Sequence, residues 1–235
     1  MNKKAISLVV LVAVGIVGYL TFNYLTRPVA PPSQPTSNGI QTPTTTETGT
    51  MQATSTDPNA YSIVQENSHV NFTLDEVLRG SPYTVVGTST DIGGQIIVDR
   101  TKLEDAKIGT IKINARTIKT DDDRRNGMMG RFILKSEDSV NEFITFEATE
   151  ITGLPASANI GDPLHFAITG NLTIAGVTKP ATFDAHAVFM NDNTLTATAS
   201  TVVKRSDYNL TIPDIPFVAN VTDDVTLKIE LMAKK

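Results

Sequence analysis

The residues able to carry chemistry are few and scattered. His69, His165 and His186 are the only histidines, and they lie far apart in the chain. No two of them share a ligand spacing on one element, so the sequence predicts no metal site. Cysteine is absent, which removes disulfides, thiolate metal sites, cysteine nucleophiles and a lipidated-cysteine anchor together. Hydroxyl residues are plentiful, but they form no Gly-x-Ser-x-Gly elbow and no evident Ser–His–acid arrangement. Catalysis is therefore not expected, and nothing calls for a cofactor. Asp121-Asp122-Asp123 is the most concentrated acidic run. Three adjacent carboxylates cannot all face one ion, and no Gly-spaced calcium loop follows. The run reads as a solvated loop or a helix N-terminus, whose dipole favours negative charge. Arg205 and Asp207 read as lying on one side of a strand near its end. Either they form a salt-bridge or turn-fixing pair, or Arg205 turns its bidentate fork towards a polar or phosphorylated headgroup.

The elements that must position these residues are strands. From Tyr61 onward the chain alternates with period 2: Val70, Phe72 and Leu74; Ile111, Ile113 and Ala115; Phe166, Ile168, Leu172 and Ile174 with Gly170 between them. Ala181, Phe183, Ala185, Ala187 and Phe189 follow, then Leu195, Ala197 and Ala199, and finally Val225, Leu227, Ile229 and Leu231. Such alternation marks strands with one buried face. Between them stand turn residues, among them Gly161-Asp162-Pro163, Gly176 with Pro180, and Asn191-Asp192-Asn193, the last read as a hairpin loop. Roughly eight strands at this spacing predict an all-β barrel or sandwich. Asp121 to about Val140 is the one helical stretch expected, and its Met128, Met129 and Phe132 suit either ordinary cap packing or a pliable apolar lid.

One detail leans towards a hollow barrel. The inward face of two consecutive late strands is rich in alanine: Ala185, Ala187, Ala197 and Ala199. Interiors normally pack to crystal-like density, and a barrel of about eight strands either fills itself or holds one small ligand. Small side chains on neighbouring strands leave room. The competing reading is that Phe72, Phe146, Phe166 and Phe183 fill that room from the other side.

The 235-residue chain carries a formal net charge of −5 at pH 7. That disfavours nucleic acid, which needs clustered Lys and Arg. Lys3 and Lys4 precede an almost continuous apolar run from Ala5 to Leu25, just long enough to cross a hydrocarbon core of about 30 Å. Tyr19, Phe22 and Tyr24 sit near its far end, and no small-x-small cleavage site follows. The sequence thus predicts an uncleaved single-pass anchor over 1–26, with the C-terminal part outside the cell membrane, in the periplasm or at the cell surface. Residues 27–60 are dominated by Pro, Thr and Ser and read as a disordered, partly extended tether. Residues 61–235 form the β domain.

At this point motifs emerge. Gly170-Asn171-Leu172-Thr173-Ile174-Ala175-Gly176-Val177-Thr178-Lys179-Pro180 resembles the G-x-L-T-I-x-G-V-T-x-P signature of the YceI family. Ala115-Arg116-Thr117-Ile118-Lys119-Thr120, Phe143-Ile144-Thr145-Phe146 and Lys204-Arg205-Ser206-Asp207-Tyr208-Asn209-Leu210 resemble three further segments of that family, in its order. The resemblance spans about Tyr61 to Met232. It implies an extended antiparallel eight-stranded lipocalin-like barrel with a short helical cap. It also implies an apolar lumen that binds an isoprenoid lipid, such as a quinone or polyprenyl compound, in an extracytoplasmic protein. On this reading Phe72, Phe132, Phe146, Phe166, Ile168, Leu172, Phe183, Ala185, Ala187, Ala197, Ala199 and Tyr208 line the lumen, and Arg205 and Asp207 stand at its mouth. The alternative is a filled barrel serving as a structural or protein-interaction module.

Overall fold

The alternating runs form strands because each places its apolar side chains on one face and its Thr, Lys, Asp and Glu on the other. In the computed structural model the described residues are 16–21, 30–33 and 57–235. The anchor expected over 1–26 and the tether expected over 27–60 therefore lie mostly outside the described residues. Residues 16–21 are helical. Among the described residues no helix is long and apolar enough to cross a membrane.

The strands are β1 (Ala60–Ile63), β2 (His69–Leu78), β3 (Ser81–Ser89), β4 (Ile92–Gly93), β5 (Gln95–Asp99), β6 (Lys102–Ile108), β7 (Ile111–Asn114), β8 (Phe143–Thr152), β9 (Leu164–Ile174), β10 (Val177–Asn191), β11 (Thr194–Lys204), β12 (Val218–Ala219) and β13 (Asp224–Lys234). They form one curled antiparallel sheet in the order β4-β7-β8-β9-β10-β11-β13-β1-β5-β6, with β2 also on β13 and both β3 and β12 on β2. The sheet forks at β13: Thr226 to Glu230 pair with β2, whereas Ala233 and Lys234 pair with β1. This is thirteen strands among the described residues, against about eight expected. Several are short pieces, and bulges also shift the register inside longer runs, within β8 between Ala148 and Glu150 and within β5 between Ile97 and Asp99.

The β9–β10 hairpin shows how sequence sets register. Ile174 pairs with Val177, so the turn is Ala175-Gly176, both in the left-handed region at φ 48° and 78°. A two-residue turn of this kind matches the twist of the flanking strands. Asp192-Asn193 turns between β10 and β11 as the sequence predicts, with Asn191 paired to Thr194.

The helical region expected from Asp121 to about Val140 is broken into separate turns. Asp122 accepts hydrogen bonds from the Arg124 and Arg125 N–H groups at 2.8 and 3.1 Å and starts a helix over Asp123–Met128. The acidic run thus supplies an N-cap. A wider π-helical turn follows over Met129–Ile133, Lys135, at φ 52°, breaks the helical run, and a separate 3-10 turn over Ser139–Asn141 includes Val140. Arg125 ties this cap to the sheet through Glu76 at 3.0 Å.

Candidate functional site

The inward face of the sheet carries two separate packed clusters. One gathers Ile92, Ile111, Met129, Phe146, Leu172, Phe183 and Tyr208, with Phe72 packed against it. The other gathers Tyr61, Val98, Leu103, Leu164, Ala187, Phe189 and Leu195. Phe166 and Leu231 touch both clusters. Between them lies a cavity of about 100 Å³, lined from one cluster by Phe146, Ile168, Phe183 and Ala185 and from the other by Val98, Leu103, Leu164, Ala187, Phe189 and Leu195. Among its lining residues Thr198 alone carries a hydroxyl, and none is titratable. Water needs two to four polar partners, so this hole suits an apolar occupant.

Local sequence explains the hole. Ala185 pairs directly with Ala199, and Ala187 with Ala197, so four methyl groups form a shallow patch across β10 and β11. Beside them, one step along β10, the Phe183 ring meets Phe146 edge-on at 5.0 Å and 71°, a favourable aromatic geometry. Ala197, Ala199, Ile229 and Leu231 point inward yet remain only half-buried, as expected beside unfilled space.

Of the lumen residues named from sequence, the structure places Phe146, Phe166, Ile168, Phe183, Ala185, Ala187, Ala197 and Ala199 on this cavity. Leu172 and Tyr208 are buried in the first cluster and Phe72 packs against it, off the cavity. Burial raises the Tyr208 hydroxyl above its ordinary pKa, with neighbouring Asp207 adding to the effect. Phe132 is half-buried on the π-helical turn and does not line the cavity.

Arg205 and Asp207 require a correction. They lie on a 3-10 turn, Arg205–Tyr208, beyond the end of β11 and not on a strand. Arg205 donates from Nε to the Thr222 carbonyl at 3.1 Å and from Nη1 to the Leu210 carbonyl at 3.2 Å. Asp207 is exposed. The guanidinium fixes the loop around it, as the turn-fixing reading has it.

Sequence reasoning missed the contributions of β5 and β6: Ile96, Val98, Leu103, Ala106 and Ile108. Leu103 and Ala106 differ in parity, and the register shift at Ile97/Asp99 brings both inward. Ile151 joins the lining beyond the β8 bulge for the same reason. On the outer face, the structure also brings together two histidines that the sequence reading keeps apart, His165 and His186.

A curled antiparallel sheet around an apolar hollow defines the class: a mostly-β domain of lipocalin-like type. The profile of the YceI-like domain matches residues 61–233, and the chain belongs to that family. A UPF0312 protein of Shewanella sp. strain ANA-3 is 28% identical over 173 residues, 72% of this chain and 85% of that one. Another, from Shewanella baltica strain OS155, is 31% identical over 128 residues, 54% of this chain and 62% of that one. Burkholderia cenocepacia BcnA shares the fold at a TM-score of 0.57 and 22% identity, covering 73% of this chain and 99% of its own. A polyisoprenoid binding domain from Saccharophagus degradans, implicated in plant cell wall breakdown, does so at a TM-score of 0.57 and 14% identity, covering 74% and 97%.

Proposed function

We propose that this chain binds an apolar isoprenoid-type lipid, a quinone or polyprenyl compound, inside its curled sheet, and holds it on the outer side of a membrane. The observation that carries this reading is the hole between the two packed clusters, walled by paired alanines and almost free of polar lining. Burying a lipid there gains ~25 cal/mol per Å², or about 0.8 kcal/mol per methylene. With no titratable side chain on the hole, the role is binding or carriage rather than catalysis. The polyisoprenoid binding named for the Saccharophagus degradans domain supports the ligand class.

The strand path supports a closed tube. β3 pairs with β2, and β4, which pairs with β7, begins just beyond Thr90-Asp91. Joined there, β2, β3–β4, β7, β8, β9, β10, β11 and β13 make an eight-membered ring. The cavity of about 100 Å³ is smaller than the ~150 Å³ at which an engineered apolar cavity admits benzene. A long lipid therefore requires the interior to widen, and the Phe146–Phe183 pair, between the hole and the rest of the first cluster, is where it widens.

Lys3 and Lys4 before the apolar run, with only Arg27 just after it, support an inside N-terminus and an outside β domain. Ile16, Val17, Tyr19 and Leu20 are exposed on the helical segment 16–21, an apolar surface that lipid would cover. A tether then raises the local concentration of the domain at the membrane holding its ligand.

The test is organic extraction of the full-length chain, purified in detergent, followed by mass spectrometry. The control is Ala185→Phe with Ala197→Phe, which blocks the hole while leaving any lipid around the anchor in place. An isoprenoid lipid near one per chain in the native protein, reduced severalfold in the blocked variant at equal circular dichroism, is the expected result. Equal lipid in both would sink the reading and leave the second one, an interaction module with a filled interior. That alternative draws on the aromatic packing at both ends of the hole, Phe146–Phe183 and Tyr61–Phe189.

A further inference from the structure

We propose that the outer face of the β9–β10 hairpin carries a divalent transition-metal site formed by His165, Asp184 and His186, of the class that takes Cu²⁺, Ni²⁺ or Zn²⁺. The argument begins at the turn. Because Ile174 pairs with Val177, the register brings His165 directly opposite His186. Asp184 stands two residues from His186 and so shares its face, with Ala185 between them turned into the hollow.

The side chains converge. The two imidazole rings stack at 4.4 Å and 7°, and His165 Nε2 lies 2.6 Å from Asp184 Oδ1. One ligand atom from each of the three residues falls within 4.8 Å of the others. First-row ions bind imidazole nitrogen and carboxylate oxygen at about 2.0–2.2 Å, which sets neighbouring ligand atoms roughly 3–4 Å apart. All three residues are exposed, so side-chain rotations that spread His165 from Asp184 and unstack the imidazoles can turn all three to one point.

The donor set selects the ion. Two imidazoles and one carboxylate suit copper, nickel and zinc, whereas magnesium and calcium prefer all-oxygen shells. Affinity should run highest for Cu²⁺. Three protein ligands leave coordination positions open to solvent, the arrangement of sites that exchange ions or accept a further ligand. The site crosslinks β9 to β10 directly behind Phe166, Phe183 and Ala185, yet faces away from the hollow, so it stands or falls independently of lipid binding.

The test uses untagged full-length chain in detergent, stripped with EDTA and titrated calorimetrically with Cu²⁺ and with Zn²⁺, together with His186→Asn, Asp184→Asn and His69→Asn. His69 pairs with Glu230 on other strands at 2.9 Å and serves as the control. One equivalent of ion is expected. His186→Asn should weaken binding at least tenfold and Asp184→Asn severalfold, with His69→Asn unchanged and circular dichroism equal throughout. The Cu²⁺ electron paramagnetic resonance spectrum should report two nitrogen ligands in the native chain and one in His186→Asn. Binding by His186→Asn within twofold of native, or an equal loss in His69→Asn, overturns the proposal.

Discussion

Individual residues decide how closely the sheet can pack. A Cβ added at Gly170 would lie 2.4 Å from the Glu147 carbonyl oxygen and 2.6 Å from the Phe146 ring. The oxygen belongs to a paired backbone and cannot swing aside. Gly170→Ala should therefore cost about 1–3 kcal/mol, the usual range for overpacking. Gly87 offers the contrast: the nearest atoms its added Cβ would meet belong to the Phe72 ring, which lies over it at 2.0 Å. Phe72 is half-buried and can rotate away, so Gly87→Ala should cost under about 1 kcal/mol, near the price of a strained rotamer. Urea denaturation followed by circular dichroism measures both, and equal losses would show that the backbone contact is not decisive. Residue parity explains what was legible here. Ala185, Ala187, Ala197 and Ala199 could be assigned to the hollow because unbroken strands keep parity. Arg205 could not, because its role depends on a turn that brings the Thr222 carbonyl to it across the fold.

At the scale of elements, the turn-and-cap region grips the chain that precedes the β domain. Arg116, just after β7, meets Glu142 at 3.1 Å with both side chains nearly buried. Arg116 also donates to the carbonyls of Ser136, Glu137 and Pro31, and Glu142 accepts from the Ser33 N–H at 2.7 Å and from Asn114. Residues 31 and 33 are thus held against the domain. With the proposed anchor ending at residue 26, this contact leaves under roughly 20 Å of chain to the membrane, against about 110 Å for a free tether over 27–60. Burial opposes ionisation of Glu142, but the hydrogen bonds from Ser33 and Asn114 and the charge of Arg116 outweigh it and hold the carboxyl below its ordinary 4.5. A depressed carboxylate contributes stability that is full above that ordinary value and is lost as pH falls through the folded one. Glu142→Gln should accordingly destabilise by about 3–5 kcal/mol at pH 7, the cost of breaking a buried pair. The gap between native and variant should narrow on acidification below pH 4.5. Denaturation midpoints across pH measure it, and a constant gap would remove the ionic argument. None of this was legible in sequence, where 27–60 reads only as low in apolar residues. Bulges likewise hid β5 and β6, whose register shift at Ile97/Asp99 breaks the alternation that betrays other strands.

Taken whole, the molecule is two packed clusters separated by an apolar hole, and the boundary between hole and cluster is a pair of rings. Deleting one ring separates a lumen from a packing defect. Phe146 is buried, edge-on to Phe183 and beside Gly170. Phe146→Ala should cost about 3–5 kcal/mol without ligand, the range for truncating a core phenylalanine. If the hole is the shortened form of a longer lumen, the variant lengthens it towards Leu172, and a chain lipid recovers part of that loss. Ligand bound only by the folded state stabilises by RT ln(1 + [L]/Kd). Geranylgeraniol supplied in detergent should therefore raise the denaturation midpoint of Phe146→Ala by more than that of the native chain. It should leave Ala185→Phe with Ala197→Phe unmoved. Equal shifts in all three would locate the alcohol in the detergent or at the apolar N-terminal segment, and the hole would then be a gap in packing rather than the start of a lipid path.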